Sequence, residues 1–71
     1  MDHVLEAMQP HYDAYFSLFL EEHREKKHRK LAENVYYEEV KALIDAMNIL
    51  RKYLGWKTVK LSEEVNWRLE G

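Results

Sequence analysis

Between Pro10 and Gly55 the chain contains neither glycine nor proline, and Gly71 is its only other glycine. Tight hairpin turns draw on these two residues, so a chain this poor in them favours long helices with short connections. Its 71 residues allow one domain, 1–71. A domain of this size hides a modest share of its surface, and such chains rely on disulfides, a metal, self-association or very regular helix packing. There is no cysteine, which removes disulfides and fits a reducing compartment. A structural zinc site would be restricted to His and carboxylate ligands, an uncommon set. Helix packing and self-association are what is left.

Eleven Lys and Arg stand against thirteen Asp and Glu, for a formal net charge of −2. That balance argues against a general nucleic-acid coat or a polybasic membrane binder. No apolar run approaches the roughly 18 residues of a membrane span. The start, MDHVLEAMQ, carries acids where a secretory signal carries cations. The expectation is a cytoplasmic protein with no membrane partner.

Asp2 is placed to cap a first helix with Val4, Leu5 and Met8 on one side. Pro10 lacks a backbone donor and biases Gln9 away from helical angles, so it reads as the first residue of a new helix, with a kink in one longer helix as the alternative. In the next helix Tyr12, Tyr15, Phe16, Phe19 and Leu20 share a face at spacings of three and four. The composition then turns charged. Glu22–Lys26 and Glu25–Arg29 are i,i+4 pairs in the favourable order, and cations complement the end of a helix dipole. A connection is expected near 30–34, where Asn34 closes one helix or caps the next.

The best-signalled helix covers 35–54. Tyr36, Val40, Leu43, Met47, Leu50 and Leu54 recur at alternating spacings of four and three, so Leu43, Met47 and Leu50 are expected in the core or in a dimer seam. Acids lie at its start, Arg51 and Lys52 at its end, and Gly55 follows as a natural cap. A second apolar strip, Val35, Ala42, Ala46, Ile49 and Tyr53, runs beside the first. Tyr37 and Ile44 widen the arc, and Lys41, Asp45, Asn48 and Lys52 form the polar stripe. An arc of that width exceeds what one partner helix covers, which predicts a homodimer. The fold expected is all-α: a helical hairpin of two long helices with a short C-terminal helix, assembled into a dimeric bundle. In the tail, 57–61 alternates polar and apolar as a strand does and Ser62 starts a helix to 70, while a helix from Thr58 fits almost as well.

Four features are candidates for function. The run His23–Lys30 resembles a nucleic-acid patch, but Glu21, Glu22 and Glu25 are interleaved with its cations and a solvated helix end explains it. The histidines His3, His11, His23 and His28 read as surface residues. Glu25 and His28 match one Glu-x-x-His pair of di-iron bundles, without the second pair such a site requires. Nine aromatic residues exceed what one small core readily hides, and Tyr and Trp anchor interfaces. The partner or dimer surface is therefore assigned to Tyr36, Tyr37, Val40, Ile44, Met47, Ile49, Tyr53 and Trp56. Finally, Thr58–Val65 with Leu69 resembles the strand and first helix of ribbon–helix–helix DNA-binding proteins. The resemblance implies a paired ribbon with Thr58 and Lys60 toward bases and Val59 and Leu61 toward the core; no counterpart of the family's second helix follows within the 71 residues.

No motif supports catalysis: there is no nucleophile motif, no glycine-rich phosphate loop and no carboxylate pair in an apolar setting. No catalytic, cofactor or metal residues are assigned. The reading that follows is a small regulatory module, an adaptor or inhibitor, binding itself and an unidentified protein partner. The alternative is a DNA-binding regulator that uses Arg24, Lys27, Arg29 and Lys30 or a ribbon with Thr58 and Lys60.

Overall fold

The computed structural model describes the backbone of residues 2–70 and the side chains of residues 3–69. The cap expected from the Asp2 side chain lies outside the described residues. The chain forms α1 (Asp2–Lys26), a 3-10 turn (Leu31–Glu33), α2 (Tyr37–Tyr53) and α3 (Leu61–Glu70). The architecture is the expected all-α helical hairpin with a short C-terminal helix. No helix among the described residues is long and apolar enough to cross a membrane.

Pro10 does not divide α1. The helix runs through it, although an interior proline removes one backbone hydrogen bond and costs about 3 kcal/mol. Burial on the N-terminal side offsets this cost: Leu5 is buried and Met8 packs against the core. A fully buried leucine contributes about 1.5–3 kcal/mol. The side chain of Gln9 also donates to Asp13 Oδ1 at 3.0 Å, bridging the proline. Pro10→Ala should therefore raise stability by about 1–3 kcal/mol, read as a higher denaturant midpoint with an unchanged slope. A lower midpoint would mean the proline sets a bend the core requires.

The helix ends earlier than its charge pattern suggests. Lys27 adopts a left-handed φ of 48° and its N–H donates to the His23 carbonyl at 2.9 Å, closing α1 without a glycine. The chain then folds back: His28 Nε2 lies 3.2 Å from Glu22 Oε2. Glu25 and His28 thus do not share a helix face, so the di-iron-like spacing is coincidental. Leu31 packs against the core and Asn34 is buried within it.

The core joins Leu5, Tyr12, Phe16, Phe19 and Leu20 of α1 to Val40, Ile44 and Met47 of α2 and Val65 of α3. Tyr15 is left on the surface. On α2 the inward face is centred on Val40, Ile44 and Met47, so Leu43 and Leu50 flank the core, half-buried, instead of forming its centre. The hairpin is antiparallel. Asn34, just before α2, bonds Phe19 late in α1, while Met47 and Arg51 late in α2 line a pocket with Leu5, Glu6 and Gln9.

Candidate interaction surface

The segment after α2 is held by backbone geometry. Gly55, at φ 77°, donates to the Lys52 carbonyl at 3.1 Å, and Trp56 donates to Arg51 at 2.7 Å. This is a Schellman closure, which needs the left-handed conformation that glycine adopts without strain. It turns Trp56 toward the α1 N-terminus, where it shares the pocket with Leu5, Met47 and Arg51.

The strand expected at 57–61 is not formed, and no strand occurs among the described residues. Residues 56–60 are irregular, and the side-chain amide of Asn48 takes both backbone groups of Val59. Its Nδ2 donates to the carbonyl at 2.7 Å and its Oδ1 accepts the N–H at 3.0 Å. Extended backbone turns one residue's N–H and C=O to the same side, so Asn48 acts as a one-residue strand partner. The Lys60 carbonyl accepts from Glu64 N–H at 3.0 Å, in the first turn of α3. Leu61 already belongs to α3. A ribbon paired along the Val59 edge would have to displace Asn48.

The inner side of α3 is polar as well as apolar. Val65 is buried, while Glu64 and Arg68 are half-buried beside it, and Leu69, expected on the apolar line, is exposed. Tyr12 donates its phenol proton to Glu64 Oε1 at 2.8 Å. The Arg68 guanidinium lies over Phe16, 4.5 Å from the ring centroid, and 5.6 Å from that of Tyr12. Its Nη2 is 3.5 Å from Asp13 Oδ1. Cation–π contacts of this kind contribute about 0.5–2 kcal/mol. In the sequence Glu64 and Arg68 show only the i,i+4 spacing of an ordinary surface pair, which carries no sign of this clamp. Burial, and then the hydrogen bond to Glu64, push the Tyr12 phenol well above the ordinary tyrosine value.

The sign of the resulting pH effect follows directly. A raised pKa in the folded state gives stability that is complete below the unfolded value, about 10 for tyrosine, and lost as pH rises through the folded value. Stability should therefore fall steeply above about pH 10. The Tyr12→Phe variant should show a shallower alkaline arm in denaturant melts. Equal slopes for the two proteins would show that Tyr12 ionises as freely in the folded state as in the unfolded one.

Of the residues assigned to a partner surface, Val40, Ile44 and Met47 are core residues of the single chain and cannot meet another molecule while it is folded. Spaced four and three apart, these three residues share the face of α2 that packs on Leu5, Tyr12, Phe16, Phe19 and Leu20 of α1. Tyr36 and Tyr37 are half-buried. Ile49, Tyr53 and Trp56 are exposed, at 71%, 75% and 52% of their full surface. Ala42 and Ala46, on the Ile49–Tyr53 side of α2, are exposed too, and Val35, in the turn before the helix, is 66% exposed. The part of the second apolar strip that lies on α2, from Ala42 to Tyr53, is thus exposed throughout.

Of two neighbouring open depressions, the first borders this strip at Ile49. One is lined by Asp45, Asn48, Ile49, Lys52 and Thr58. The other lies between Lys57–Val59 and the α3 residues Glu63, Glu64 and Trp67, with Trp67 exposed at its edge. Thr58 belongs to both.

The proposed nucleic-acid residues fall into two separate groups. Arg24, Lys27, Arg29 and Lys30 are exposed around the end of α1, among Glu21, Glu25 and Glu33. Thr58 and Lys60 are exposed beside the second half of α2. The hairpin does not gather them onto one face. His23 and His28 do not converge either: His28 faces Glu22, and His23 Nδ1 is buried without a hydrogen-bond partner. No family model matches the chain, and no curated protein or solved structure is significantly similar to it.

Proposed function

We propose that the chain is a small regulatory protein–protein interaction module, an adaptor or inhibitor, that docks through the outer face of α2. The observation that carries this reading is the exposure of Ile49 and Tyr53 on the side of α2 opposite its core face, in line with Ala42 and Ala46. Scattered surface apolar residues are ordinary, but a contiguous strip of them along a helix marks a contact surface on a soluble protein. Isoleucine and tyrosine also provide much contact area for little side-chain entropy.

The test is a photoreactive amino acid placed at Ile49, with a second variant carrying it at Ala32, an exposed residue at the other end of the hairpin. Irradiation in the native host should give discrete protein adducts from Ile49 and none of the same bands from Ala32. Identical adduct patterns, or none from Ile49, would remove the α2 face from the account.

A further inference from the structure

We infer that the occupant of the α2 face is a second copy of this chain, paired antiparallel across that face; this rests on the α2 face being an interface. Helix α2 carries a second apolar period besides that of its core face. The core face takes Val40, Ile44 and Met47. The exposed residues Ala42, Ala46, Ile49 and Tyr53 are spaced four, three and four apart, which is the alternation of a coiled-coil seam. With Ala42 and Ile49 as d positions and Ala46 and Tyr53 as a positions, the residues on either side of the seam follow. One flank is Asp45 and Lys52, both exposed; the other is Leu43 and Leu50, both half-buried.

This asymmetry selects the direction of pairing. In a parallel pair each flank meets the opposite flank of the other helix, so Asp45 and Lys52 would be set against Leu43 and Leu50. In an antiparallel twofold pair like flanks meet. Charge then faces charge and leucine faces leucine.

One register satisfies the four layers from Ala42 to Tyr53 and leaves Glu39 beyond the end of the second helix. It sets Ile49 against Ala46 of the second copy and Tyr53 against Ala42, so each large side chain meets a small one. The same register sets Asp45 against Lys52 and Leu43 against Leu50. Sliding the pair by one heptad brings Ile49 onto Glu39 and Asp45 onto its own symmetry mate, which adds a charge to the seam and a repulsion beside it. Asp45 is already 3.1 Å from Lys41 within its own helix, so the carboxylate is presented in an extended cationic setting on this flank. Thr58 borders the same flank and widens the contact.

Sedimentation equilibrium from about 1 to 500 µM tests the pairing, since a short two-helix seam lies at the small end of stable interfaces. The native chain should associate in this range. Asp45→Lys and Lys52→Asp alone should each weaken association about tenfold, because twofold symmetry converts two attractions into two repulsions. The double variant Asp45→Lys with Lys52→Asp should recover most of it, which parallel pairing would not produce. Both substituted residues are on the surface, and circular dichroism of the three variants checks that the helices persist. A native chain that stays monomeric, single variants that associate normally, or a double variant that fails to recover each overturn the inference. If the chain is monomeric while Ile49 still yields adducts with other proteins, the interaction reading stands and only the second copy is excluded; absence of adducts removes the reading itself.

Discussion

Phe16→Ala is expected to cost about 3–5 kcal/mol, the range for truncating a fully buried phenylalanine. Phe16 has no exposed surface and sits where the three helices meet. Its ring packs on Tyr12 at a centroid distance of 5.3 Å and on Phe19 at 5.8 Å. It also forms the floor under the Arg68 guanidinium. The alanine variant leaves a cavity and deprives a half-buried cation of the ring it stacks on, so the two losses add. A domain this small holds roughly 0.05–0.15 kcal/mol per residue of net stability, so the loss is comparable to the whole. The variant should be largely unfolded at 37 °C. Phe16→Leu, which keeps most of the volume, should keep the fold while losing the aromatic contact. A Phe16→Ala protein that melts within about 1 kcal/mol of the native chain would mean that α3 does not pack where Phe16 and Arg68 meet.

The elements that sequence made legible are those whose signals are local. The α2 boundaries followed from acids at its start, cations at its end and Gly55, and the Schellman closure at Gly55–Trp56 is the geometry those residues favour. The exposed strip on α2 was legible from its spacing. What it would face was not, because periodicity alone does not say which of two apolar arcs is turned inward. The choice is made by the other helices, and it put Val40, Ile44 and Met47 on the core side.

The misreadings arise where a local rule meets a tertiary force. Proline predisposes a helix to start, but burial of Leu5 and Met8 outweighs the lost hydrogen bond and carries α1 through Pro10. The charged run reads as continuing helix because Lys and Arg are good helix formers. A left-handed lysine, which has no sequence signature, stops it at Lys27. The alternation in 57–61 reads as strand, yet the partner it finds is one asparagine side chain. The Tyr12–Glu64–Arg68 clamp joins α1 to residues more than fifty positions away, and its one local spacing, Glu64 to Arg68, is that of an ordinary surface pair.

The same competition makes Asn34 the polar residue whose loss should cost most, about 2–4 kcal/mol for Asn34→Ala. Sequence marks it only as a residue that closes one helix or caps the next, but the chain buries it to 3% exposure and uses every polar group it has. Its Nδ2 donates to the Phe19 carbonyl at 2.9 Å, and its Oδ1 accepts the Tyr36 N–H at 2.9 Å. Its own N–H donates to Leu31 at 3.1 Å and its carbonyl accepts from Tyr37 at 3.0 Å. The side chain thereby ties the connection to α1 and orients the first turn of α2. Truncation to alanine removes two side-chain bonds and leaves the Tyr36 N–H without its acceptor. A fully buried donor left unpaired costs about 1–3 kcal/mol, and the half-buried Tyr36 N–H a part of that. Asn34→Asp separates the two roles, since an ionised carboxylate still accepts from Tyr36 but cannot donate to Phe19, and it places a charge in the core. That variant should be at least as unstable as Asn34→Ala near neutral pH and should regain stability relative to the native chain as the pH falls and the carboxyl takes up a proton. Chemical melts of the three proteins at pH 7 and 4.5 measure both effects. Equal stability of native and Asn34→Ala proteins would show that water reaches these groups and that the connection is not anchored through Asn34.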